Sequence, residues 1–129
     1  MTPFDDLAER HGAALLVQYG STVAGPTHAA SDVDVGVFYG GPPPSFFEQG
    51  GLAADLEDAF PGRRIDLATL DRADPLFLHQ VVANCRLLAG SARRLAELKI
   101  YAFKRYVDHR PYLALERAYV DRMLAERGR

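Results

Sequence analysis

Apolar residues recur with several rhythms along this chain, and each rhythm predicts an element. From Pro3 to Arg10, Phe4, Leu7 and Ala8 share one helical face, with acids in the first turn, and His11-Gly12 ends the helix. Ala13 to Tyr19 is a compact apolar run, which predicts a buried strand. Gly20-Ser21 breaks it, and Thr22 to Gly25 leaves room for one helical turn before Pro26. Strict alternation from Asp32 to Tyr39 predicts a second strand, and the three prolines after Gly40-Gly41 predict a stiff loop.

Helical spacing returns from Ser45 to Phe60, with Phe46, Phe47, Leu52, Leu56 and Phe60 as core candidates. Gly50-Gly51 weakens the first part of that helix. Pro61-Gly62 is a turn, and Arg63 to Leu70 predicts a third strand. Asp74 as cap and Pro75 in the first turn open a helix to about Cys85. Arg86 to Gly90 is a brief extended piece. Ser91 caps a long helix to about His109, and Pro111 is expected to open a last helix to about Arg127. Leu95, Leu98, Ala102, Phe103 and Tyr106 would pack that tail on the rest of the domain. No repeat or linker divides the chain, so one domain spanning 1–129 is expected. Its architecture is α/β (α+β): a small mixed sheet at the front, closed by helices behind.

Composition narrows the functions. The 129 residues are 48% hydrophobic and 25% charged, as in an ordinary globular domain. A formal net charge of −2 offers no global field for nucleic acid or anionic membrane, so direct nucleic-acid binding is not expected. Any phosphate-bearing ligand must then be held by local features. The single cysteine, Cys85, cannot form an internal disulfide and reads as a small buried residue. No export signal is visible at the start, and no apolar stretch approaches the ~20 residues that span a bilayer. The expectation is a cytoplasmic protein with no membrane partner.

Candidate chemistry gathers on the second and third strands. Val33, Val35 and Val37 share one face, while Asp32, Asp34 and Gly36 share the other. Same-face neighbours lie about 7 Å apart along a strand, and strands disfavour aspartate. In the third strand Ile65 and Leu67 share a face, and Asp66 projects opposite. If these strands pair, three carboxylates meet. An all-oxygen cluster suits Mg²⁺, and Mn²⁺ could substitute. Two such ions about 3.5–4 Å apart can clamp both oxygens of an in-line phosphoryl displacement. Upstream, Gly20-Ser21 leaves the first strand in a turn whose backbone amides and hydroxyl suit phosphate oxygens.

Gly20-Ser21, ten residues from Thr22 to Ser31, then Asp32-Val33-Asp34, resembles the signature of the minimal nucleotidyltransferases of the DNA polymerase β superfamily. Asp66, in Arg64-Ile65-Asp66-Leu67, occupies the place of that family's third carboxylate. The resemblance covers roughly residues 13–90, and Leu87-Leu88-Ala89-Gly90 is similar to the family's strand after the helix. It implies that Asp32, Asp34 and Asp66 bind two metal ions, and that Asp66 assists deprotonation of an attacking hydroxyl. It further implies that Gly20 and Ser21 hold the triphosphate of ATP, with Ser31 as a further nucleotide-binding candidate. Chain length and helical tail are similar to the MntA-type antitoxins, which pair with a HEPN-domain RNase toxin and transfer AMP to its tyrosine. One departure is Thr22-Val23-Ala24, where many members carry arginine after the serine; this leaves open how the triphosphate is neutralised.

Plainer readings stand beside these. The acids would also suit a solvated strand end, with Arg63 or Arg64 pairing with Asp66. Ser21 would also suit a simple cap, Ser31 a turn residue, and His28 an exposed loop. His11, His79 and His109 have no metal-ligand spacing and read as structural. Tyr101, Tyr112 and Tyr119 add aromatic surface suited to a partner. Two alternatives to protein modification remain: an antitoxin that acts by binding alone, and transfer of the nucleotide to a small molecule.

Overall fold

The apolar runs ending at Tyr19 and Phe38 become the two central strands of the sheet. The computed structural model describes residues 2–23 and 32–127. In order these form α1 (Pro3–His11), β1 (Leu15–Tyr19), a 3-10 turn (Gly20–Thr22), β2 (Val33–Phe38), α2 (Phe46–Ala59), β3 (Ile65–Thr69), α3 (Pro75–Ala83), β4 (Arg86–Ala89) and α4 (Ala92–Arg127). Helix starts follow their caps. Thr2 and Asp5 exchange a reciprocal capping box at α1, and Asp74 accepts the Leu76 amide at 2.9 Å to open α3. Ser91 accepts the Arg94 amide at 3.1 Å to open α4.

The sheet runs β3-β2-β1-β4, with β1 antiparallel to both neighbours and β2 parallel to β3, so it is mixed as expected. Helices cover both faces. Leu16, Val33, Val35 and Val37 pack with Leu7 of α1 and Leu52 and Leu56 of α2. On the reverse, Leu15, Val17 and Leu70 pack with Leu78 and Val81 of α3 and Leu95, Leu98 and Ala102 of α4. The carboxylate-bearing face of β2 is therefore not polar along its length. Gly36 is buried on it under Leu70, so closely that a Cβ would lie 2.9 Å from Leu70 Cδ1. Only the start of that face, at Asp34, stays open.

Three expectations about packing are corrected. Phe46 and Phe47 are 93% and 89% exposed rather than core. The inward stripe of α2 runs through Gln49, Leu52 and Leu56, with Gln49 Oε1 accepting from Thr69 Oγ1 at 2.7 Å; Phe47 falls on the far side of that stripe. Phe103 is likewise exposed. Finally, Pro111 does not open a new helix: it lies inside a continuous 36-residue α4. A proline removes one N–H bond to the carbonyl four residues back, and at an exposed position water can satisfy that carbonyl.

The buried residues of α4 all precede Pro111. Tyr106 stacks on His79 of α3, with ring centroids 4.1 Å apart and planes within 5°. Beyond this contact no described residue of α4 is buried, and Tyr112, Leu115, Tyr119, Val120 and Leu124 are exposed. Among the described residues no helix is long and apolar enough to cross a membrane.

Candidate active site

Three neighbouring strands deliver their polar residues in one row. Tyr19 at the end of β1 pairs with Asp34 of β2, and Asp34 pairs with Asp66 of β3. Directly opposed residues of paired strands point to the same face, so the phenol and both carboxyls share the face covered by α3 and α4. The Tyr19 ring is held edge-on by Phe77 of α3, at 5.9 Å between centroids. Asp34 is half-buried, whereas Asp66 and Asp32 are exposed, and Asp32 lies one residue before β2.

Charge crowding marks this row. Partial burial, then the Asp66 carboxylate and its hydrogen bond, then Asp32, hold the Asp34 carboxyl above the ordinary carboxylate range. Two carboxyl groups within hydrogen-bonding reach need a shared proton or a cation between them. Burial, followed by the charges of Asp34 and Asp66, pushes the Tyr19 phenol up to about 12. Among the described residues no three acids, imidazoles or thiols converge as a ready-made metal cage. The geometry is a tight pair with Asp32 on its rim. That donor set, all oxygen and excess negative charge, fits a hard divalent cation that keeps several waters.

The Gly20–Thr22 turn abuts the acids. Gly20 has φ +78°, a left-handed conformation, and a Cβ there would strike Asp34 Oδ2. Glycine is thus required twice, by conformation and by the closeness of the carboxylate. Ser21 is exposed at the tip of the turn. Ser31 and His28 lie outside the described residues. A separate cleft of about 420 Å³, lined by Phe38, Gly40, Asp71, Arg94 and Tyr101, sits at the opposite end of β2 from Asp34.

Of the expected site residues, Gly20, Ser21, Asp34 and Asp66 come together, with Asp32 beside them. Two neighbours were not singled out from the sequence. Tyr19 joins the acid row because alternation within β1 puts it on their face. Gln18 is 5% exposed and donates from Nε2 to the Thr22 carbonyl at 3.2 Å and hydroxyl at 3.0 Å. A lone amide inside the apolar run Ala13–Tyr19 was the available signal. Two of the described histidines act as packing and bonding residues: His11 Nε2 lies 2.6 Å from Asp55, and His79 stacks on Tyr106.

Comparison with known proteins identifies the fold and the family. A solved toxin–antitoxin with AMP-PNP is similar at 22% identity and TM-score 0.74, over 92% of this chain and 94% of that one. A complex of tri-AMPylated Shewanella oneidensis HEPN toxin with MNT antitoxin is similar at 20% identity and TM-score 0.68, over 92% and 91%. The toxin–antitoxin MntA-HepT is similar at 19% identity and TM-score 0.68, over 92% of each chain. These likenesses show a shared fold. No curated protein matches the chain by sequence. The family model described as "Polymerase beta, Nucleotidyltransferase" matches residues 6–94, a span that takes in the Gly20-Ser21 turn, both acid strands and β4. With that span matched, the chain belongs to the polymerase β nucleotidyltransferase family.

Proposed function

We propose that this protein is the antitoxin of a toxin–antitoxin pair and transfers AMP from ATP to a tyrosine hydroxyl of a HEPN-domain RNase toxin. The carrying observation is the opposed Asp34–Asp66 pair beside the Gly20-Ser21 turn. Asp32, Asp34 and Asp66 hold divalent metal, Mg²⁺ or Mn²⁺, and Gly20 and Ser21 hold the triphosphate. Bound metal would stabilise the charge that builds on the transferring phosphoryl group and on the leaving oxygen. The acceptor oxygen attacks the α-phosphorus as the bond to the bridging oxygen breaks. Pyrophosphate leaves, and the hydroxyl proton passes to Asp66, the more exposed member of the pair. Solved relatives of the same fold include a complex with AMP-PNP and a tri-AMPylated HEPN toxin, which supports ATP as donor and the toxin as acceptor. An antitoxin against an RNase works where RNA is, in the cytoplasm.

The test is label transfer. The protein is incubated with α-labelled ATP, Mg²⁺ and the helical protein encoded beside it. Labelling of that partner by wild type, lost in Asp32→Ala, is the expected outcome. Absence of label, with Asp32→Ala behaving as wild type, overturns the reading.

A second reading has its own support: no three-acid cage is formed among the described residues, and α4 presents a long exposed apolar surface. In it the chain neutralises its partner by binding alone. Cell rescue by an Asp32→Ala/Asp34→Ala double variant, as effective as by wild type, would favour it.

A further inference from the structure

The turn that follows β1 is held from two sides. On the acid face, Gly20 closes against the Asp34 carboxylate. On the opposite face of β1, the Gln18 side chain, buried to 5% exposure, reaches forward four residues to Thr22. Its amide nitrogen donates to both the carbonyl and the hydroxyl of that residue, at 3.2 and 3.0 Å. Within the turn, the 3-10 bond from the Val23 amide to the Gly20 carbonyl is long, at 3.3 Å. A three-residue 3-10 segment has poor internal geometry and does not hold its own orientation. An amide inside an otherwise apolar strand is costly to bury unless its bonds are made, so the pairing with Thr22 is strongly favoured.

We infer that Gln18 is a positioning residue for nucleotide binding: it clamps Thr22 and thereby fixes the Gly20-Ser21 turn at the angle that meets the triphosphate. The inference rests on the proposed role of that turn. The clamp explains a division of labour in five consecutive residues. Tyr19 points to the acids, Gly20 allows contact with Asp34, Ser21 is exposed toward ligand, and Gln18 and Thr22 tie the two ends together. Thr22 is spent on the protein interior, not on the nucleotide. Preorganising a loop lowers the ordering cost of binding, so removal of the clamp weakens affinity more than it slows the bound complex.

The experiment measures binding of Mg²⁺·AMP-PNP by calorimetry to wild type, Gln18→Leu, Thr22→Val, Thr22→Ser and the Gln18→Leu/Thr22→Val pair. Gln18→Leu removes two hydrogen bonds and is expected to raise Kd by about tenfold or more, Thr22→Val by about fivefold. Thr22→Ser keeps the hydroxyl and binds like wild type. The double variant binds no worse than Gln18→Leu, because both act through one contact. In transfer assays the loss falls on KM for ATP rather than on kcat. Unchanged Kd in both single variants, or fully multiplicative effects in the double, would overturn the clamp. Thermal melts accompany each protein; if Gln18→Leu melts early, the Thr22→Val and Thr22→Ser comparison decides alone. Failure of wild type to bind Mg²⁺·AMP-PNP would instead overturn the proposed function.

Discussion

Asp34 and Asp66 occupy directly opposed positions on the parallel strands β2 and β3. Parallel pairing with this register places two like charges side by side at the open end of an otherwise apolar face. Asp34 consequently holds its proton more tightly than an ordinary carboxyl.

This crowding predicts a metal-dependent reversal in stability. Without metal, a carboxyl whose folded pKa is raised contributes stability that is complete below the ordinary value of about 4 and is lost as pH rises through the raised value. Asp34→Asn should flatten that decline. Saturating Mg²⁺ should invert the comparison: at a hundredfold excess over its Kd, wild type gains about 2.7 kcal/mol and Asp34→Asn far less. Thermal melts from pH 4 to 8, with EDTA or Mg²⁺, measure both effects. Equal Mg²⁺ stabilisation of the two proteins would contradict the assignment.

Gly20→Ala should harm function and stability together. A non-glycine residue in the left-handed region costs about 1–2 kcal/mol, and here its Cβ also meets the Asp34 carboxylate. Denaturant melts should show at least that loss, and label transfer should fall beyond detection. A stable and active variant would mean that the turn does not press on Asp34.

The His11–Asp55 contact joins α1 to α2 and predicts an acid-sensitive seam. The hydrogen bond from His11, outweighing slight desolvation and aided by the charges of His11 and Arg10, lowers the Asp55 carboxyl pKa. A lowered folded pKa contributes stability above the unfolded value of about 4, and that stability disappears as pH falls through the lowered value. Asp55→Asn should therefore be less stable than wild type at pH 7, and the two should converge under acid. Urea unfolding at pH 7 and about pH 3 tests this; a gap that widens on acidification would refute it.

Residues 111–127 should be dispensable for the stability of the domain. All buried side chains of α4 lie between Leu95 and Ala102. A chain ending at Arg110 should melt close to wild type while losing capture of the proposed toxin partner. A large drop in Tm would mean that the overhanging half of α4 supports the core.

Replacing Phe46 and Phe47 by serine should change stability by no more than about 0.5 kcal/mol each, as for surface positions in general. Denaturant titration gives the value. A loss of several kcal/mol would restore them to the core that their spacing suggests.

Residues close together in sequence were readable wherever local physics governs. Asp74 and Ser91 announce helix starts because a side-chain oxygen reaches amides two or three residues ahead. The alternation Val33–Val37 against Asp32–Gly36 announces β2 because side chains of a strand alternate between faces. The spacing from Gly20-Ser21 to Asp32 and Asp34 carries the family, since chemistry at a strand end constrains residues within one short loop and its flanking strands.

Only the assembled molecule decided the rest. That β2 and β3 run parallel with Asp34 facing Asp66, that Gly36 lies beneath Leu70, and that Gln18 turns to hold Thr22 all depend on contacts between separate elements. Periodicity says which residues share a side of a helix, but not which side finds a neighbour, so Phe46 and Phe47 read as core and stand in water. Pro111 reads as a boundary because its missing bond is a local cost; its neighbours carry the helix through it. Local pattern therefore determined the pieces and their chemistry, while the register between strands and the placement of helices determined which groups meet. Burial and electrostatic coupling act across space, between residues that the chain keeps far apart.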